Sequence, residues 1–300
     1  MLNVYEQVDQ NKRRSAIIIA GFIAFVVGFV WLVGRILGSS QELIVFAAIF
    51  SLLSSAGSYF WGDRLILTLS RAKPASKEEY FDFYTAAENL AIAAQIPTPK
   101  LYVIESPAMN AFATGRDPKH AVVCATSGLL EKLDKSELEA VIAHEISHIV
   151  NYDIRLMTIV AVLVGMVTLV SDWLLRLGRV SARSDEEERS ANPVVLAVGL
   201  MMLILAPIIA KLIQLAISRR REFLADASAA KLTRQPQALI RALEKLANYN
   251  QPLLQANPAT AHLYIINPFG GAKRGLRRFA SLFSTHPPIE ERIEKLKMML

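Results

Sequence analysis

Two apolar runs near the N-terminus constrain this chain more than any other feature: residues 15–37 carry one charge, Arg35, and residues 43–61 carry none. Each approaches the roughly 20 apolar residues that a bilayer-spanning helix needs. A short polar loop, residues 38–42, separates them, so they read as a hairpin. A cleaved leader has a shorter apolar core, about 7–15 residues. Lys12, Arg13 and Arg14 precede the pair, and Arg64, Arg71 and Lys73 follow it. The positive-inside tendency puts both outer ends in the cytosol. Residues 156–175 and 194–217 form a second candidate hairpin, interrupted by Asp172, Pro207 and Lys211. Its loop holds Arg176, Arg179, Arg183 and Arg189, which an external loop normally avoids. Crossing is the favoured expectation, and a hairpin buried in the protein is the alternative.

The remaining composition fits this reading. Of 300 residues 53% are hydrophobic, and the mean hydropathy is +0.32, above that of ordinary soluble domains. A single cysteine, Cys124, excludes an intramolecular disulfide and requires no oxidising compartment. The net charge of +6 is read as loop charge facing anionic lipid, with no nucleic-acid partner.

The spacing divides the chain into a cytosolic tail (1–14), a transmembrane hairpin (15–61), a soluble part (62–155), the second hairpin (156–217) and a second soluble part (218–300). In the first soluble part, residues 78–95 have helical periodicity, and 101–104 and 120–125 read as strands. Ser136 with Glu139 forms a candidate capping box for a helix reaching His148. Residues 219–249 read as one helical stretch, and 287–300 as a short charged helix. The expected class is a mainly α membrane protein with about four spans and a small α/β catalytic part.

The chemistry concentrates at His144-Glu145-Ile146-Ser147-His148. At about 100° per residue, His148 lies roughly 40° around the helix from His144 and one turn along, so both imidazoles reach one ion. Glu145 projects roughly 60° beyond His148, suited to taking a proton from water activated by the metal. Zinc is the metal this pattern implies, one ion per chain, with a further acidic ligand downstream. Glu222 and Asp226, four apart on one helix face, are candidates for that ligand and for a carboxylate orienting an imidazole. By spacing alone the favoured reading is a solvated acidic stripe offsetting Arg219, Arg220 and Arg221. Glu222 meets the histidines only if the segments between them cross the bilayer zero or two times.

Taken together, the 144–148 motif, Glu222-Phe223-Leu224-Ala225-Asp226, His286-Pro287-Pro288 and residues 106–115 resemble the HtpX-type membrane metallopeptidases. These are bacterial relatives of the eukaryotic CAAX prenyl protease and of a mitochondrial inner-membrane stress protease. The resemblance runs from about Tyr80 to the C-terminus. It implies Glu222 as third zinc ligand, Asp226 as support and Glu145 as catalytic. It also suggests that the Asn110-Ala111-Phe112-Ala113 strand lines the substrate cleft. His286, before two prolines that start the last helix, is read either as a hydrogen-bond donor to the reaction's oxyanion or as a helix-entry residue without chemistry. A multi-pass protein of the bacterial inner membrane follows, its site facing the cytoplasm, cleaving polypeptides, chiefly misfolded membrane proteins under stress. The alternatives are a prenyl-protein protease, for which four spans are few, and a non-proteolytic adaptor, which an intact Glu145 argues against. His120 and His262 lack a partner pattern and are read as structural, and Tyr152 departs from the family pattern beside the motif helix.

Overall fold

A computed structural model describes residues 4–37, 42–166, 219–249, 251–257, 259–269 and 287–300, without the side chains of 4–7, 29–30, 32–37, 42–44 and 46–47. Two long helices open the chain, α1 (Val4–Leu37) and α2 (Glu42–Leu69), and pack against each other. Helix α1 starts eleven residues before the expected span, so residues 4–14 are helical and continuous with it. Helix α2 likewise continues past Trp61.

A four-stranded sheet follows in the order β1 (Lys73–Pro74), β2 (Lys100–Ile104), β4 (Ala121–Thr126), β3 (Ala111–Gly115). Strands β2 and β4 run parallel, and β1 and β3 flank them antiparallel. The expected strands at 101–104 and 120–125 are β2 and β4. Periodicity alone does not single out β3, which the resemblance places at 110–113; its two alanines and glycine dilute the signal of Phe112 and Thr114. Strands β3 and β4 are buried throughout, because the sheet is covered on both faces. Leu101, Val103, Ala113 and Val123 face one core with α3 (Phe81–Ala93) and α5 (Lys135–Val150). Ile104, Phe112, Val122 and Cys124 face the other, with Ile66 and Leu67 of α2, Met157 and Tyr264.

Between β4 and α5 lies the short helix α4 (Ser127–Lys132). The capping box of α5 stands two residues before the expected one. Asp134 accepts from the Glu137 N–H at 2.9 Å, and the Glu137 carboxylate accepts from the Asp134 N–H at 3.0 Å. Both pairs fit the sequence rule, but Asp134 is the last residue outside helical geometry. After α5 the chain turns at Tyr152, with a φ of 58°, into α6 (Asp153–Met166). The region expected as one helical stretch is two: α7 (Arg219–Thr233) and α8 (Pro236–Asn248). Pro236 cannot continue an α-helical hydrogen-bond ladder and drives Gln235 out of the α region. The last helix, α9 (Ile289–Lys297), packs on α7 and α8.

Helix α6 carries the start of the third apolar run, and it is buried: Leu156, Ile159, Val160 and Leu163 pack with Ile18 and Phe22 of α1. Among the described residues no single helix is long and apolar enough to cross a membrane. Helices α5 and α6 meet that measure only together, bent by 83°. The rest of the second hairpin, from 167 to 217, lies outside the described residues.

Candidate active site

Helix α5 lies across the sheet with residues 140–149 buried, His144, Glu145 and His148 among them. Helix α7 packs alongside and brings in Glu222 from its first turn and Asp226 one turn later. The two histidine Nε2 atoms face each other 3.3 Å apart. The Glu222 carboxylate stands 3.8 Å from His144 Nε2 and 3.6 Å from His148 Nε2. Two ligands bonded at about 2.0–2.1 Å in a tetrahedral shell lie about 3.3 Å apart, which is the separation of the two nitrogens. His144, His148 and Glu222 thus converge as a group able to hold a metal ion. The donor set, two imidazoles and one carboxylate, is one used by open catalytic sites.

The opposite nitrogen of each ring is occupied. His144 Nδ1 lies 2.9 Å from Asp226, and His148 Nδ1 lies 3.0 Å from Asp153. Donation from Nδ1 to a carboxylate fixes the tautomer that turns the Nε2 lone pair toward the shared point. Arg292, from α9 and itself fully buried, donates to both Asp226 oxygens at 2.8 and 2.7 Å and to the Ile265 carbonyl at 3.1 Å.

These contacts set the protonation states. Burial lifts the Glu145 carboxyl to about 7, and the charge of Glu222 adds to the rise, while His148, Arg292 and a hydrogen bond from the Ala113 N–H oppose it. Burial disfavours a charged His148, but the hydrogen bond to Asp153 and the charges of Glu222, Asp153 and Glu145 outweigh it and raise the pKa to about 9. For His144 burial prevails over Asp226, and the pKa is lowered. A cation held by His144, His148 and Glu222 would require His148 to give up its Nε2 proton.

Residues 82–300 match the model of peptidase family M48. The chain belongs to this family. Among its relatives, the "Protease HtpX homolog" of Dictyoglomus thermophilum is 45% identical over 297 residues, covering 98% of this chain and 94% of that one. The proteins of the same name from Tropheryma whipplei strain TW08/27 and Thermococcus sibiricus are 46% and 44% identical, with 98% and 92% of their lengths covered. In fold the chain is similar to the crystal structure of S. mikatae Ste24p, with a TM-score of 0.50 and 22% identity over 98% of this chain. It spans 66% of the Ste24p chain. The M48 chain is a metallopeptidase, and the HtpX-type resemblance read from its motifs is borne out.

Of the residues singled out in the M48 sequence, the fold gathers His144, Glu145, His148, Glu222 and Asp226 within one buried cluster. Asp226 reaches His144 directly, so the acidic pair is not a solvated stripe. Asn110, Ala111, Phe112 and Ala113 form the start of β3 and its approach, and β3 is an edge strand of the sheet. That edge is already engaged: the Ala111 carbonyl accepts from the Ile265 N–H at 2.9 Å, and Asn110 donates to the Ile266 carbonyl at 3.1 Å. Phe112 points to the other core, stacked edge-on with Tyr264. His286 lies outside the described residues. The structural reading of His120 and His262 agrees with their contacts, to Asp117 and to the Met157 carbonyl. Tyr152 is held beneath Lys12 and Arg155 at the junction of α1 and α6.

Two residues of the site escaped the sequence reading. Arg292 stands six residues after His286 in an exposed-looking charged helix, and only its burial distinguishes it from neighbouring charges. Asp153 follows the motif by five residues, past the end of α5, where helical periodicity no longer says what it faces.

Proposed function

We propose that this M48 peptidase is a membrane-embedded, zinc-dependent endopeptidase that cleaves cytosolic segments of misfolded or damaged membrane proteins. The observation that carries the catalytic part is the convergence of His144, His148 and Glu222 with Glu145, a buried carboxyl with a pKa of about 7, beside them. His144, His148 and Glu222 would hold the metal, and zinc suits two imidazoles and one carboxylate. Zinc supplies Lewis acidity toward water and the scissile carbonyl when bound. Glu145 takes the proton from the attacking water as the C–O bond forms. It then gives that proton to the departing amine as the C–N bond breaks. Asp226 and Asp153 keep the imidazoles aimed, and His286 is a candidate hydrogen-bond donor to the oxyanion.

The β3 edge fits substrate binding by main-chain pairing, with Ala113 nearest Glu145. A peptide pairing along Ala111 would displace Ile265. For the membrane part, the support is the two apolar runs carried by α1 and α2, taken with the HtpX-type resemblance, since neither helix by itself is both long and apolar enough to span. Val45, Ile49, Leu52 and Leu53 of α2 are more than half exposed, which suits lipid contact. The stress role and the choice of substrate rest on the HtpX-type resemblance.

The test uses protein purified in detergent with chelator to suppress self-cleavage, then supplied with zinc and an unfolded substrate. Wild type should cut only with zinc. Glu145→Gln should lose at least about a hundredfold in rate while binding zinc normally. Cleavage by both proteins, or by neither with zinc bound, would overturn the assignment of Glu145.

A further inference from the structure

The second carboxylate of the site, Asp153, is itself held from an unexpected direction. Its Oδ2 faces His148 Nδ1 at 3.0 Å. Its Oδ1 accepts from the side-chain amide of Asn11 at 2.7 Å. Asn11 belongs to α1, the N-terminal apolar helix, and is only 2% exposed. The same amide nitrogen donates to the Asn151 carbonyl at 2.9 Å, so both of its hydrogens have acceptors. The amide oxygen faces Arg221 Nη1 at 3.4 Å, and that guanidinium stands 3.4 Å from Asp153 Oδ1. This network also settles the amide's orientation. Reversing it would put the oxygen against two acceptors and the nitrogen against a cation.

We infer that Asn11 is a positioning residue of the metal site, supplied by the first apolar helix and acting on His148 through Asp153. The two histidines are then held by parallel relays. His144 is aimed by Asp226, which Arg292 clamps from α9, and His148 is aimed by Asp153, which Asn11 clamps from α1. Both Asp153 oxygens are committed, one to the ring and one to the amide. Losing the amide frees the carboxylate to rotate toward Arg221 and releases the ring it orients. A partner bonded directly to a ligand imidazole, here Asp153, typically changes metal affinity about 10–100-fold, and Asn11 acts through that partner. Helix α1 would then be part of the catalytic centre as well as an anchor, and it would act on zinc retention through the Asn11 amide.

The inference rests on the zinc reading above, and the experiment separates the two. Full-length protein, stripped of metal in detergent, is titrated with zinc against a chromophoric chelator, and with cobalt to record the visible spectrum. Asn11→Leu removes the hydrogen bonds at nearly constant size, and Asn11→Ala serves where the larger side chain prevents folding. Ile18→Ala loosens the packing of α1 on α6 without touching the network. The expected result is at least a tenfold loss of zinc affinity in the Asn11 variants, with an altered cobalt spectrum. Asp153→Asn should lose a comparable amount, adding Asn11→Leu to it should cost little more, and Ile18→Ala should retain wild-type affinity. Normal zinc binding by wild type with affinity unchanged within twofold in the Asn11 variants would overturn this inference alone. An equal loss in Ile18→Ala would also overturn it, since helix seating and not the amide would then be responsible. Failure of wild type to bind zinc would overturn the zinc reading and this inference with it.

Discussion

Arg292 and Asp226 show how much a single buried pair contributes to this site. A fully buried guanidinium is costly unless its charge and donors are matched, and here two carboxylate oxygens and one carbonyl match them. Burial alone would raise the Asp226 carboxyl, but the charge and hydrogen bonds of Arg292, with His144, hold it at about 2. A carboxyl depressed in the fold stabilises it above the ordinary value of about 3.9, and that contribution is lost as pH falls through the folded value. Thermal unfolding in detergent should therefore weaken between about pH 4 and pH 2 in wild type. Asp226→Asn should lack that step. At pH 7 the variant should be destabilised by about 3–5 kcal/mol, because the buried Arg292 loses its counter-charge. A wild-type midpoint indifferent to pH across that window would contradict the account.

At the scale of elements, the site depends on how tightly the approach to β3 is held. Gly128 opens α4, and its N–H donates to the Ser106 carbonyl at 2.9 Å, while the Ser127 hydroxyl meets the same carbonyl at 3.1 Å. A Cβ on Gly128 would lie inside contact distance of the Pro107 backbone. Helix propensity favours alanine over glycine by about 1 kcal/mol, whereas a forced backbone shift in a packed region costs about 1–3 kcal/mol. The clash should win. Gly128→Ala is expected to lower the unfolding midpoint and also the catalytic rate, because residues 107–110 lead directly into β3. A stabilised Gly128→Ala would mean that the loop yields freely.

For the whole molecule, the contact of α5 with α7 carries a topological consequence. Glu222 lies against both histidines, so whatever path residues 167–218 take, it returns to the side it left. Cys124 makes this testable without interference. It is fully buried, and burial, with the charge of Glu145, pushes its thiol well above the ordinary range, so it should resist maleimide in the folded protein. Glu131→Cys and Met298→Cys place single reporters on exposed sites either side of that segment. With the site facing the cytoplasm, both should be shielded from impermeant maleimide in intact cells and labelled after permeabilisation. Labelling of either reporter in intact cells would reverse the orientation proposed for α1 and α2.

The sequence by itself determined the chemistry that is local in the chain. His144, Glu145 and His148 share a helix face because of helical pitch, and no tertiary contact is needed to see it. Strands β2 and β4 were legible because continuous apolar runs of that length suit a sheet covered on both faces. Tertiary structure decided what depends on distant partners. It chose between a ligand and a surface stripe for Glu222 and Asp226, since periodicity places residues on a helix face without saying what that face meets. It made a strand of Ala111–Gly115, where two alanines and a glycine dilute the signal of Phe112 and Thr114, by pairing it with β4. It also assembled the shell of Asp153, Arg292 and Asn11, from elements up to 148 residues away from the histidines they serve. Burial and orientation of a polar side chain arise only when those elements pack.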